Sequence, residues 1–305
     1  MAAPLTFFMR IPDAVTKNLI SCYGEQGRDW LERLPQLVAE ISDQWELRVS
    51  EPFGGGCVAW VAPAVRADGS AAVLKISIMD DETRYEADAL AFWEGCGAVR
   101  LLRRDTGRGA MLLERLDPGR PLTDLDEGEA LRIACGLLRR LWRPLPPGSP
   151  FPDVARLLGE WRQQLPALYE KHSRPFAAGL LDRAVRLCDD LLTPRLEQVL
   201  GNRDFHFGNI LSSTREPWLL IDPKPLAGEP ASDTGYLLES LLDPNPDPAR
   251  AVALARAIAL ELELDPQRIA DWAFLRAVEN ALWAAGTQPA SVATYVATAQ
   301  SLLPR

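Results

Sequence analysis

Up to about residue 116 the chain is written in short apolar runs broken by glycine. Beyond Asp117-Pro118-Gly119 it is written in long runs with an apolar period near 3.6 residues. Leu47–Phe53 is a strand candidate that ends in Gly54-Gly55-Gly56. Cys57–Val65 and Ala71–Ile78 flank Ala67-Asp68-Gly69-Ser70, and Asp-Gly between apolar runs marks a β-hairpin. Asp80 or Asp81 can cap a helix running to about Glu94, where Gly95 and Gly97 stop it. Val99–Arg104 and Ala110–Leu116 form a second strand pair, and Trp30–Asp43 reads as a helix packed outside the sheet. After the switch, Leu125–Trp142, Val154–Glu170 and Ala177–Gln198 carry helical periodicity. Two short strands, Ile210–Ser213 and Trp218–Ile221, interrupt this body, and three or four helices follow to Leu303. The expected fold class is α+β, with a β-rich N-terminal lobe over residues 1–114 and a larger helical lobe over 115–305. A short hinge falls near residues 114–118.

Composition narrows the partners. The chain has 305 residues, 47% of them apolar and 25% charged, with a net charge of −9. That balance suits a globular protein and gives no basic face for nucleic acid. AVALARAIALELEL, interrupted by Arg256 and Glu261, reads as an amphipathic helix, so no membrane span is expected. Five widely spaced cysteines and two histidines give no zinc pattern, and free thiols fit a cytoplasmic protein. A monomer or weak homodimer is expected. Only four of the 33 basic residues are Lys (Lys17, Lys75, Lys171 and Lys224), so a Lys inside an apolar strand stands out.

Residues 201–213 read GNRDFHFGNILSS. A protein-kinase catalytic loop is written H-R-D-x-x-x-x-N. Arg203, Asp204 and Asn209 match it in type and spacing, and Asn202 stands where the His belongs. Thirteen residues after Asn209, at the end of the second strand, comes Asp222. Asn209 and Asp222 supply oxygen donors for Mg²⁺, a hard ion that keeps phosphates and water as its remaining ligands. Asp204 is then left to orient an acceptor hydroxyl and take its proton. Upstream, Lys75 interrupts Val73-Leu74-Lys75-Ile76, and Glu86 lies on the next helix. Glu86 is the candidate to hold Lys75 against nucleotide phosphates, with Glu82 a competitor one turn earlier. Gly54, Gly55 and Gly56 sit where a phosphate-covering turn belongs, and Glu114 and Leu116 at the hinge complete the nucleotide-binding set.

The run NRDFHFGNIL…WLLIDPKPLAGEPASD resembles the aminoglycoside phosphotransferase family, in its streptomycin 6-phosphotransferase and hydroxyurea-resistance kinase branch. Asp204, His206 and Asn209 fall on the family's loop. Asp222, Pro223, Lys224, Gly228, Glu229, Pro230 and Asp233 fall on its second motif. The likeness runs from about residue 45 to the end. It implies a two-lobed protein-kinase-like fold, ATP (with GTP as the alternative donor), Mg²⁺, and transfer of the γ-phosphoryl group to a hydroxyl of an aminoglycoside or of hydroxyurea. Asn202 departs from the family's first His.

Residue patterns suggest where a small-molecule acceptor would sit. In DWAFLRAVENALWAAG, Trp272, Arg276, Glu279 or Asn280, and Trp283 fall on one helical face, and aromatic and carboxylate groups recognise cations. Asp233 is a further substrate candidate, with helix capping as its structural alternative. His206 is expected to bond loop backbone. Lys224 and Glu229 either touch the nucleotide or hold the loop by an ion pair. A kinase of another metabolite or sugar shares every ATP-site feature, and a nucleotide-binding pseudokinase is the reading that Asn202 alone favours.

Overall fold

The computed structural model describes residues 10–54, 58–193, 197–242 and 246–303. It divides into two compact units, one of residues 1–95 and 99–116, the other of residues 96–98 and 117–305.

The first unit is a five-stranded antiparallel sheet backed by one long helix. The helix, α1, spans Asp13–Trp45 and kinks at Gly24, which adopts φ 57° and ψ −120°. The strands are β1 (Arg48–Val49), β2 (Ala59–Val65), β3 (Ala71–Ser77), β4 (Leu101–Asp105) and β5 (Ala110–Glu114), in the order β1-β2-β3-β5-β4. The expected hairpin joins β2 to β3, with Gly69 at φ 82° closing the turn. Leu19, Leu34 and Ile41 of α1 pack on Trp60, Leu74, Ile76 and Leu112 of the sheet. Each such fully buried side chain stabilises the unit by roughly 1.5–3 kcal/mol. Helix α2 spans Glu86–Trp93 and begins later than the expected cap at Asp80 or Asp81. Asp80 instead accepts bonds from the backbone N–H groups of Glu82 and Thr83, fixing the turn before the helix.

The second unit is mainly helical. Helix α3 (Glu127–Leu141) starts where Asp126 caps Gly128 and Glu129, and it ends in Arg139 and Arg140. Its terminal charges thus oppose the helix dipole. Helices α4 (Val154–Lys171) and α5 (Ala178–Asp190) follow. Past the site strands come α6 (Ala231–Leu242), α7 (Pro248–Leu262), α8 (Pro266–Thr287) and α9 (Val292–Ser301). Asp247 and Asp265 cap α7 and α8, each with proline at the first helical position. Helix α8 is central: it contacts α4, α5, α6, α7 and α9 and is buried on nearly every face. Three strands absent from the sequence reading complete the unit. They are β6 (Pro118–Pro121), β7 (Val199–Asn202) and β10 (Pro225–Gly228), alongside β8 (Ile210–Ser213) and β9 (Trp218–Leu220). Strands β6, β8 and β9 form one sheet, and β7 pairs with β10 in another. Among the described residues no helix is long and apolar enough to cross a membrane.

Candidate active site

In the first unit the chemistry centres on β3. Lys75 is 5% exposed and Glu86 2%. The Lys75 ammonium donates to both Glu86 carboxylate oxygens, at 2.6 and 2.7 Å. Glu86 is the first residue of α2, and the turn before it is held from outside: the Tyr23 hydroxyl of α1 donates to Asp80 at 2.5 Å. Two charges removed from water are tolerable when they are paired and hydrogen-bonded, as here. Glu114, at the end of β5, accepts from the Arg100 backbone N–H at 2.8 Å, and Leu116 is buried. Gly54 lies in an exposed bend with open space around its Cα. Gly55 and Gly56 lie outside the described residues.

In the second unit two strand pairs converge. Strands β7 and β10 run antiparallel with Asn202 opposite Pro225, so their ends deliver Asp204 and Lys224 side by side. Asn202 is buried, and its side-chain oxygen accepts from the backbone N–H groups of Asp204 at 3.1 Å and Lys224 at 2.8 Å. The residue that departs from the usual His therefore ties the two functional loops together. The Lys224 ammonium lies 3.2 Å from Asp204 Oδ2. Strands β8 and β9 pair Ile210 with Leu220, and the Ile221 N–H donates to the Asn209 carbonyl at 2.8 Å. Asn209 and Asp222 are thereby brought together. Asp222 takes the left-handed conformation, φ 51°, which Asp tolerates better than most residues. The Asn209 amide nitrogen donates to the Asp204 carbonyl at 3.2 Å, so its nitrogen is engaged within the loop. His206 accepts from the Gly208 N–H at 3.1 Å, the backbone role expected of it. Burial lowers its pKa, opposed by the charges of Asp204 and Asp222.

Asp233 corrects the sequence reading. It is buried and accepts from Trp142 Nε1 at 2.8 Å and from the Asn202 N–H at 3.0 Å, so its carboxylate is spent on the scaffold. It braces the start of the catalytic loop from the first turn of α6. Gly201 is needed for this approach, since a Cβ there would lie 2.2 Å from Asp233 Oδ1. Burial pushes the Asp233 carboxyl up to about 7, with the Trp142 and Asn202 bonds opposing. A carboxyl raised above its unfolded value favours the protonated native form, so its stabilising share is complete below the unfolded pKa. That share is lost as pH rises through the folded pKa. Asp233→Asn removes this titration. The stability of the native chain relative to the variant is expected to fall by up to about 4 kcal/mol between about pH 4 and about pH 7. Denaturant unfolding of both chains across that range checks it; a constant difference would contradict the assignment.

The expected acceptor face of α8 is only partly assembled. Trp272 is 2% exposed and donates to Glu229 at 2.8 Å. Arg268 donates to the same carboxylate at 2.6 Å and also bonds the carbonyls of Asp190, Leu191 and Thr193. Trp272 and Glu229 are therefore core scaffolding, which corrects the substrate role expected of Trp272. Trp283 is 44% exposed at the far end of the face. A helix enclosed by five others buries residues that its own periodicity assigns to a free face. Arg276, Glu279 and Asn280 remain together. The Arg276 guanidinium stacks 4.7 Å from the Tyr236 ring and 5.4 Å from the Trp161 ring, and Nη1 lies 3.2 Å from Glu279. Asn280 donates to Glu239 at 3.1 Å. Arg276 is buried, yet its Nε and Nη1 make no hydrogen bond. Glu239, Tyr236 and Trp161 are site neighbours that sequence reasoning missed. Tyr236 and Glu239 follow Asp233 at helical spacing along α6, a signal that was available.

Asn209 and Asp222 fit a divalent cation by donor type: two hard oxygen ligands on loops joined by a backbone hydrogen bond. Among the described residues no cluster of three or more His, Cys, Asp or Glu competes as a metal site. The sequence matches the aminoglycoside/hydroxyurea antibiotic resistance kinase family over residues 45–287. It is 35% identical to a streptomycin 6-kinase of Streptomyces glaucescens over 295 residues, covering 93% of this chain and 95% of that one. It is 38% identical to a hydroxyurea phosphotransferase of Kitasatospora aureofaciens over 286 residues, covering 90% and 80%. The fold resembles that of a choline kinase from Streptococcus pneumoniae, with a TM-score of 0.60, 14% identity, and coverage of 88% and 99%. The loop geometry and these matches agree on a kinase-like fold that moves a phosphoryl group to a hydroxyl, and the chain belongs to the aminoglycoside/hydroxyurea antibiotic resistance kinase family.

Proposed function

We propose that the chain transfers the γ-phosphoryl group of ATP, with Mg²⁺, to a hydroxyl of a cationic, streptomycin-like acceptor. The observation that carries the acceptor class is the grouping of Glu239, Glu279 and Asn280 with the stacked rings of Trp161 and Tyr236 in the unit that holds Asp204. Carboxylates and aromatic faces bind guanidinium and ammonium groups, and amides bind the hydroxyls beside them. The Arg276 Nε–H, which makes no hydrogen bond, supplies a donor for an acceptor oxygen.

In this reading Asp204 accepts the proton of the acceptor hydroxyl while that oxygen bonds to the γ-phosphorus. The bond from the γ-phosphorus to its bridging oxygen breaks, and ADP leaves. Lys224 and His206 flank the Asp204 carboxylate, at 3.2 and 3.8 Å. Lys75, held by Glu86, supplies positive charge for the nucleotide phosphates. Gly54, Gly55 and Gly56 would cover those phosphates, and Glu114 and Leu116 belong to the nucleotide side. Asn209 and Asp222 would hold Mg²⁺, which offsets phosphate charge.

Glu279→Ala tests the acceptor assignment. It is expected to raise KM for streptomycin by about tenfold, the loss of roughly one charged contact, with KM for ATP unchanged. Equal KM values in both chains would remove Glu279 from the pocket. Turnover of hydroxyurea with no turnover of streptomycin would replace the cationic acceptor by a small neutral one.

A further inference from the structure

Helix α8 carries Arg276 and Trp283 on one line. With about 3.6 residues per turn, Trp283 stands about 20° around the helix from Arg276 and about 10 Å along it. Asn280 lies on one side of that line, and Glu279 and Gly286 lie on the other. Each side has its own neighbour. Asn280 donates to Glu239 of α6 at 3.1 Å. A Cβ on Gly286 would lie 3.0 Å from His172 Cε1, so the imidazole that ends α4 packs on α8 within a turn of Trp283. Trp283 thus stands in the strip of α8 between α6 and the end of α4, and it is 44% exposed. The other two aromatic rings of this group are already engaged, since the Arg276 guanidinium lies 5.4 Å from Trp161 and 4.7 Å from Tyr236. Among the described residues no cation, ring or hydrogen-bond acceptor engages the Trp283 indole. A lone exposed apolar residue needs no explanation. This one is set apart by lying in line with the acceptor group.

We propose that Trp283 is a specificity-determining residue: its indole forms an outer subsite that stacks a glycosidic amino-sugar ring of the acceptor. The ring to be phosphorylated is held at Arg276, Glu279 and Asn280. The inference rests on the cationic-acceptor reading above and adds to it the size of the acceptor. The separation of Trp283 from Arg276 exceeds the span of one six-membered ring, so an acceptor reaches the indole only with a second ring. The flat C–H face of a sugar matches the indole, and an ammonium on that sugar is attracted to the electron-rich face, most strongly for Trp. Glu279, one turn before Trp283, adds a carboxylate on the His172 side. A small acceptor such as hydroxyurea would fill the inner group and leave Trp283 untouched.

Streptomycin carries three linked rings, and streptidine is its guanidinium-bearing ring alone. Wild-type chain, Trp283→Ala and Trp283→Tyr are compared on streptomycin phosphorylation, with streptidine added as a competitor. Trp283→Ala is expected to lower kcat/KM for streptomycin by about tenfold, the loss of one cation–π and stacking contact. The inhibition constant of streptidine and KM for ATP should move by less than about twofold. Trp283→Tyr, which keeps an aromatic face, is expected to recover most of the streptomycin value. The melting temperatures should stay close to wild type, because the indole is half-exposed. A Trp283→Ala chain with wild-type kcat/KM for streptomycin overturns the proposal and leaves the phosphotransferase reading intact. An equal weakening of streptomycin and streptidine also overturns it, since that is a defect of the inner group or of the fold. Streptomycin left unphosphorylated by the wild-type chain overturns the cationic-acceptor reading and the proposal with it.

Discussion

Asp204→Ala is expected to lower kcat by about 10²- to 10⁴-fold, the range over which a positioned general base contributes. Nucleotide binding should survive. The loop backbone is held by Asn202, whose side-chain oxygen receives the Asp204 and Lys224 N–H groups, and neither bond uses the Asp204 carboxylate. Asp233 braces Asn202 from beneath and is likewise untouched. The variant removes one carboxylate from beside the Lys224 ammonium, and Lys224 is part-exposed, so water can take that place. The loss should therefore appear in kcat, with the melting temperature and ATP affinity close to wild type. Activity within threefold of wild type would remove Asp204 from the chemistry; a collapsed fold would mean that the carboxylate is a structural anchor.

The second large effect is in the first unit. Lys75→Met removes the cation from which both Glu86 carboxylate oxygens accept, and breaking such a buried pair costs about 3–5 kcal/mol. The pair is 6% and 2% exposed at its side chains, so solvent does little to soften the loss. Replacing both partners separates structure from function. Lys75→Met combined with Glu86→Leu removes both charges, and its stability should recover most of the loss, as buried pairs often do when exchanged for apolar groups. ATP binding should not recover, because the β3 cation proposed to face the phosphates is gone. Denaturant unfolding gives the first quantity and calorimetric ATP titration the second. A double variant that binds ATP like wild type would reduce Lys75 to a structural ion pair.

These outcomes depend on residues of different legibility. The hairpin around Asp68-Gly69 and the strands Ala71–Ser77 and Ile210–Ser213 were readable because turn chemistry and alternation are local. Lys75 and Glu86 were readable together, because a charge inside an apolar strand needs a partner and Glu86 opens the next helix. Strands β7 and β10 were not readable. Each has four residues, and their register comes from pairing across more than twenty intervening residues. Asp233 and Trp272 misled for one reason. Asp233 was read from a motif match and Trp272 from helical spacing, and either kind of residue looks like a pocket lining until other elements close over it; a local stretch of sequence carries no record of those neighbours. Asn202 was legible as a departure from the usual His but not as the clamp between two loops, since its second bond is to Lys224, 22 residues away.

The central claim is that this chain phosphorylates a cationic small-molecule hydroxyl using ATP and Mg²⁺. Its most direct test is mass analysis of streptomycin, other aminoglycosides and hydroxyurea after incubation with the chain and ATP, with and without Mg²⁺. Streptomycin is expected to gain the mass of one phosphoryl group only when Mg²⁺ is present, with one ADP formed per product. ATP hydrolysis that leaves every acceptor at its original mass, or no ATP consumption with any of them, would contradict the claim.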